Sequence, residues 1–129
     1  MSRKNFSSGA KWESIAGYSR AVKVGSRIYV SGTTSVDENG AVVGKGDPYK
    51  QAIRIFTIIE TVLKEAGSSL NDVIRTRMFV TDIAFGDEII KAHAEYFKDI
   101  RPAATMVEVN RLIDPDLLVE IEVDADTGE

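Results

Sequence analysis

Cysteine is absent from this 129-residue chain, which removes disulfide frameworks, thiolate metal sites and cysteine nucleophiles together. Histidine occurs once, as His93, so a metal site is not expected, and Ser31 has no histidine in its motif to complete a nucleophilic triad. Positive charge is in deficit. Sixteen Lys and Arg stand against twenty Asp and Glu, a net charge of −4, which is the wrong sign for general affinity toward a phosphate backbone. Long apolar runs are also missing: a membrane-crossing helix needs roughly 20 apolar residues, and no stretch approaches that. The start, Met1-Ser2-Arg3-Lys4-Asn5-Phe6, leads into polar residues, so a cytoplasmic protein is expected, with neither membrane nor nucleic acid as partner. What remains is an ordinary globular composition, 43% hydrophobic and 28% charged, over a length that suits one domain spanning residues 1–129.

The pattern of elements is legible. Tyr18 to Val24 and Arg27 to Thr34 alternate in polarity around Gly25-Ser26, a dipeptide suited to a tight antiparallel turn, so a hairpin is predicted. Asp37-Glu38-Asn39-Gly40 and the short Ala41-Val42-Val43 extend its loop. Asp47-Pro48 reads as an N-cap followed by proline in the first turn of a helix. The apolar positions Ala52, Ile55, Phe56, Ile59, Val62, Leu63 and Ala66 recur at helical spacing, and Gly67 supplies the stop. Val73 to Ile83 reads as a strand with Ile74, Thr76, Met78 and Val80 on one face and Arg75, Arg77, Phe79 and Thr81 on the other. A second helix is predicted from about Phe85 to Asp99, packing through Ile89, Ile90, His93, Ala94, Tyr96 and Phe97. Two strands follow, about Thr105 to Leu112 and Leu118 to Asp124.

This order implies an α+β sandwich, a mixed sheet with two helices laid across one face. The other face then carries Arg75, Arg77, Phe79, Glu108, Asn110, Glu120 and Glu122, too polar for a core, and an oligomer interface is its natural use. If the last two strands pair as a hairpin with residue numbers summing to 230, Val107 and Val109 join Val119, Ile121 and Val123 beneath the helices. Ala104, Met106, Glu108 and Asn110 then share the opposite face with Glu120 and Glu122. Glu108 would oppose Glu122, a pair that needs cations, and Arg75 and Arg77 are the candidates.

The segment Arg101-Pro102-Ala103-Ala104-Thr105-Met106-Val107-Glu108-Val109-Asn110-Arg111-Leu112, followed by Val119-Glu120-Ile121-Glu122, resembles the C-terminal signature of the YjgF family, the reactive intermediate deaminases. In that family Pro-Ala-Arg-Ser or a close variant leads into Val-Glu-Val and then Glu-Ile-Glu. Gly17-Tyr18-Ser19 and Val30-Ser31-Gly32-Thr33 are similar to its cleft-lining motifs, so the likeness spans about Gly17 to Val123. The resemblance implies a chorismate-mutase-like fold assembled as a homotrimer, with ligand clefts between subunits and no cofactor. It also implies that Glu120 positions or activates the water that attacks an imine carbon, while Tyr18, Ser31, Gly32, Ala104 and Met106 line the cleft.

One departure bears on the substrate. Ala104 stands where deaminating members carry the arginine that clamps a substrate carboxylate. A hydrogen bond to a charged group is worth about 1.5 to 3 kcal/mol, so its loss weakens binding of a 2-imino acid by about ten- to a hundredfold unless another arginine reaches in. Arg101 is the nearest in sequence, and Ile90 falls where some deaminases place a ligand-contacting asparagine. The expected function is hydrolysis of a small reactive imine or enamine with release of ammonia. The alternative is a noncatalytic homotrimer that binds a small metabolite. Some relatives have been described as ribonucleases or translation inhibitors, a role that the acidic charge and the lack of a basic aromatic patch oppose.

Overall fold

The computed structural model describes residues 2–128, so of the 1–129 expectation Met1 and Glu129 lie outside the described residues. Its elements are β1 (Arg3–Phe6), α1 (Lys11–Ala16), β2 (Ala21–Val24), β3 (Arg27–Thr33), α2 (Pro48–Glu65), β4 (Val73–Val80), α3 (Gly86–Phe97), β5 (Ala103–Glu108) and β6 (Val119–Asp126). The strands form one mixed sheet in the order β1-β2-β3-β6-β4-β5. Helices α2 and α3 cover one face. Phe56, Ile55, Ile59 and Leu63 of α2 and Ile89 and Phe97 of α3 are buried with Ile28, Val30, Val119, Ile121 and Val123 of the sheet. Burying each such side chain contributes about 1.5–3 kcal/mol.

Local chemistry sets the element ends where the sequence indicates. Val24 pairs with Arg27 across the two-residue turn, where Gly25 takes the left-handed φ of 60°. Asp47 accepts the Lys50 N–H at 3.0 Å, and Gly67, with φ 78°, ends α2 while Ser68 N–H returns to the Leu63 carbonyl at 2.8 Å. The amide of Gln51 then ties this helix to the chain entering β6. It donates to the Asp116 carbonyl at 2.9 Å and accepts from Leu118 N–H at 2.8 Å.

The final two strands are not neighbours, which overturns the register inferred from their sequence. β5 pairs in parallel with β4 on the sheet edge, and β6 runs antiparallel between β3 and β4. Helix α3 is the crossover that a parallel β4–β5 pair requires. β6 takes the central position because Val119, Ile121, Val123 and Ala125 all have apolar burial to give, whereas β5 offers Ala104, Met106 and Glu108 on its helix-facing side. Those three residues therefore lie away from Glu120 and Glu122. Val107, expected beneath the helices, sits on the outer face and is 42% exposed. Glu108 does not oppose Glu122; its carboxylate accepts the Ile83 N–H at 2.9 Å.

Three smaller differences have equally local causes. A bulge between Val73 and Arg75 turns Val73 inward and leaves Ile74 exposed, so the alternation starts one residue earlier than the sequence suggests. Ile90 and Ala94 face solvent, because α3 packs through Ile89, Ala92, His93 and Phe97. β1 and α1 escape prediction: four residues of an edge strand and six of a helix are too short to show a period.

His93 packs between Phe56 and Phe97, with ring centroids 5.9 and 4.8 Å away, and its Nε2 lies 2.9 Å from Thr76 Oγ1. Burial lowers its pKa. Between the folded value and the unfolded value of about 6.5 the unfolded chain binds more protons, so stability falls as pH drops through that window. Urea denaturation should show wild type losing stability relative to His93→Gln between about pH 7 and pH 5. Parallel pH profiles for the two proteins would show that His93 does not titrate with folding.

Candidate functional site

The site is built where three strands end at the same edge of the sheet: the start of β2, the end of β3 and the start of β6. Between Val30, opposite Val123, and Thr33, opposite Ile121, β3 carries one more residue than β6. This bulge at Ser31-Gly32 brings the Gly32 Cα against the Glu120 side chain. A Cβ on Gly32 would overlap the carboxylate and come within 3.1 Å of Glu120 Cδ. Glycine is needed here for space rather than for a left-handed φ. The sequence suggested that Gly32 lets the backbone approach a ligand; its immediate neighbour is Glu120 itself.

Glu120 is half-buried on the outer face, opposite Phe79. Burial pushes its carboxyl above the ordinary range, the Arg20 guanidinium opposes that rise, and Glu122 adds to it. Within 4.0 Å Glu120 has no ion-pair partner among the described residues, whereas Glu122 and Asp124 share Arg77, whose Nη1 lies 3.4 Å from each. Arg77 thus serves as the expected structural cation. Arg75 lies opposite Asp124, farther along the strand.

Arg20 is the residue that sequence reasoning missed. Its Nη2 donates to the Gly32 carbonyl at 2.6 Å, and its Nε is buried without a hydrogen-bond partner. Leaving such a donor unsatisfied costs about 1–3 kcal/mol. Burial depresses the guanidinium pKa, with Tyr18, Glu13 and Glu120 pulling the other way. The one available signal was parity: Arg20 pairs with Ser31 in continuation of the Ala21–Val30 register, beside the Ser31-Gly32 motif. Glu13 is engaged elsewhere, accepting from Ser8 N–H at 3.0 Å and from the Ser8 hydroxyl.

The other expected site residues divide into two groups. Gly32 stands against Glu120, and Ser31 and the 42% exposed Tyr18 stand near Arg20, although the Ser31 hydroxyl is already donated to the Ser19 carbonyl at 2.6 Å. Arg101, Ala104 and Met106 lie elsewhere in the protomer. β5 is separated from β6 by β4, two strand spacings or roughly 10 Å. Met106 packs against the core, and Ala104 is exposed on the helix-facing side of the edge strand. Arg101 ends the turn after α3 with a positive φ of 57°, and its Nε donates to the Lys98 carbonyl at 3.1 Å. Within one protomer it stands on the far side of β4 from β6 and Glu120.

Two concavities adjoin this end of the sheet. One of about 160 Å³ is walled mainly by α2, through Arg54, Thr57, Thr61 and Glu65, with Ser7, Ser8 and Arg20, and so opens on the helix-covered side of the sheet; a shallower one runs past Glu13, Tyr18 and Ser19. Glu120 lines neither. Among the described residues no cluster of three His, Cys, Asp or Glu could hold a metal ion, and no helix is long and apolar enough to cross a membrane.

Comparison with known proteins adds a family. The model of a family described as Endoribonuclease L-PSP matches residues 9–127. A solved member of the YjgF family from Mycobacterium tuberculosis is 46% identical, with a TM-score of 0.87 over 98% of this chain and all of that one. A RutC family protein from Pyrococcus abyssi is 38% identical over 108 residues, 84% of each chain. The 3-aminoacrylate deaminase RutC of Acinetobacter baylyi is 40% identical over 107 residues, 83% of this chain and 84% of that one.

The packing of Gly32 under Glu120 is directly testable. A crystal structure of Gly32→Ala should show the Glu120 carboxylate displaced, with a loss below about 1 kcal/mol in urea denaturation because the displaced atom is the end of a flexible side chain. A neutral substitution with an unmoved carboxylate would show that the contact is slack.

Proposed function

The chain belongs to the YjgF, or Endoribonuclease L-PSP, family, and from that membership we propose that it hydrolyses a small reactive imine or enamine, with Glu120 activating the water. The observation that carries this reading is a half-buried carboxylate that has no ion-pair partner within 4.0 Å among the described residues and whose pKa is raised. A carboxylate with a raised pKa is a stronger base than an ordinary glutamate, which suits it to take a proton from water. Water adds to the carbon of a protonated C=N bond, Glu120 takes a proton from that water, and the proton passes to nitrogen. The carbon–nitrogen bond then breaks as the hydroxyl gives its remaining proton to Glu120, releasing ammonia and leaving a carbonyl. No cofactor takes part in this sequence. The name of the Acinetobacter relative, a deaminase, supports the same reaction class.

A homotrimer belongs to the same proposal, with each cleft closed by a second copy and the 1–129 chain acting as one domain in the cytoplasm. Two features support it. Glu120 lines neither concavity of the protomer, and the outer sheet face exposes Tyr29 and Val107 among its charged residues. A neighbouring subunit is also the only way for Arg101, Ala104 or Met106 of one copy to meet Glu120 of another. The second reading, a noncatalytic metabolite-binding trimer, is favoured by Ala104. Against a ribonuclease stands β6, whose outer side presents Glu120, Glu122, Asp124 and Asp126.

Ammonia release from 2-iminobutyrate and from uncharged imines generated in situ tests the reading. Glu120→Gln should lower kcat by about 10²- to 10⁴-fold, the usual share of a general base. Because the base must be ionised and its pKa is raised, wild-type activity should fall on acidification at a pH above the ordinary glutamate value of about 4.3. No acceleration by the wild-type protein on any of these imines would favour the binding role.

A further inference from the structure

We propose that the cavity on the helix-covered side of the sheet binds a small phosphate group through Arg20 and Arg54, as a site separate from the one around Glu120. The cavity, of about 160 Å³, is walled by α2 through Arg54, Thr57, Thr61 and Glu65, and Arg20 reaches it from the start of β2. Glu120 stands on the other face of the sheet and lines no part of it. Pockets for drug-sized ligands run to roughly 300–1,000 Å³, so this one admits an ion or a very small ester and excludes a nucleotide.

Neither arginine has a carboxylate within 4.0 Å among the described residues. Each is instead pinned by one hydrogen bond to the chain leaving β3: Arg20 Nη2 donates to the Gly32 carbonyl at 2.6 Å, and Arg54 Nε to the Val36 carbonyl at 2.9 Å. Both guanidinium groups are thus held in place with most of their five N–H donors unspent. Glu13 and Glu120 act on Arg20 only from beyond 4.0 Å, and Glu13 is satisfied by Ser8. A partly buried cation without a direct partner is costly, and a bound anion offsets that cost. The one carboxylate in the wall, Glu65, sits about 16 Å from Arg54 along the axis of α2, at 1.5 Å per residue. Lys23 meets the Ala66 carbonyl at that same end of the helix, and Arg20 lies about 10 Å back along β2. The cavity is therefore cationic at the end away from Glu65. Two guanidinium groups match the nearly double charge and three acceptor oxygens of a phosphate better than the single charge of a carboxylate.

Calorimetry on the wild-type protein should find inorganic phosphate bound at one site per chain and more tightly than acetate. Amide NMR should place it on α2, with shifts at Thr57, Ile58 and Thr61. Arg54→Gln should weaken the binding about ten- to a hundredfold, and Arg54→Lys should keep part of it. Glycerol 3-phosphate identifies the source of the group: tighter binding than inorganic phosphate makes the ligand a small phosphate ester, and weaker binding makes it the free ion. No binding at about 10 mM phosphate, where even a millimolar site is mostly filled, would overturn the proposal. Binding that Arg54→Gln leaves unchanged would do the same, as would shifts confined to the Glu120 side of the sheet. The wild-type titration and the shift map need no variant, so they decide the matter even if Arg54→Gln fails to fold. None of these readouts involves turnover, so their failure leaves the deaminase reading of Glu120 standing, and failure of that reading leaves this site standing.

Discussion

The central position of β6 is the constraint on which the rest depends. Its inward residues, Val119, Ile121, Val123 and Ala125, are almost completely removed from solvent, which locks the strand in register between β3 and β4. A one-residue slip would turn this apolar row outward and send Glu120, Glu122, Asp124 and Asp126 into the core. The burial that stabilises the sheet therefore also fixes which face carries the carboxylates. Gln51 holds the approach to this strand with two hydrogen bonds, so the start of β6, where Glu120 sits, is tied to α2.

Within that frame, charge separates the carboxylates of β6 that meet a cation from the one that, among the described residues, does not. Glu122 and Asp124 meet Arg77, and Asp126 lies 3.7 Å from Arg27. Glu120, one step nearer the end of the strand, meets a glycine instead. Removing a side chain at position 32 admits the carboxylate to a partly dry place, while Arg20, anchored on the same glycine, tempers the cost without neutralising it by contact. The bulge in β3 is what allows both relations at once, which is why the Ser31-Gly32 motif matters more through its backbone than through the serine hydroxyl.

Much of this was legible in the sequence, for reasons that differ by element. Asp47-Pro48, the helical period of α2 and Gly67 act locally, so helix and caps follow from their own residues. The likeness of the last third to a known signature identified the family and singled out Glu120. Strand order was not legible. Both β5 and β6 alternate, and only the need to place the more apolar one at the centre, with α3 as a crossover, decides between a hairpin and an insertion. The face assigned to Ala104, Met106 and Glu108 was reversed by that one error. Arg20 went unnoticed because its partner is a backbone carbonyl twelve residues away, a contact that the chain signals only through the pairing parity of β2 and β3.

The chemistry proposed for Glu120 requires an uncompensated carboxylate in a partly dry setting. Carboxyl carbon NMR titration of Glu120, in wild type and in Arg20→Gln, measures this directly. The predicted result is a pKa above the ordinary glutamate value of about 4.3 in the wild type, rising further when the guanidinium is removed. An ordinary value in both proteins would mean that the carboxylate is freely hydrated and that neither Gly32 nor Arg20 shapes its chemistry.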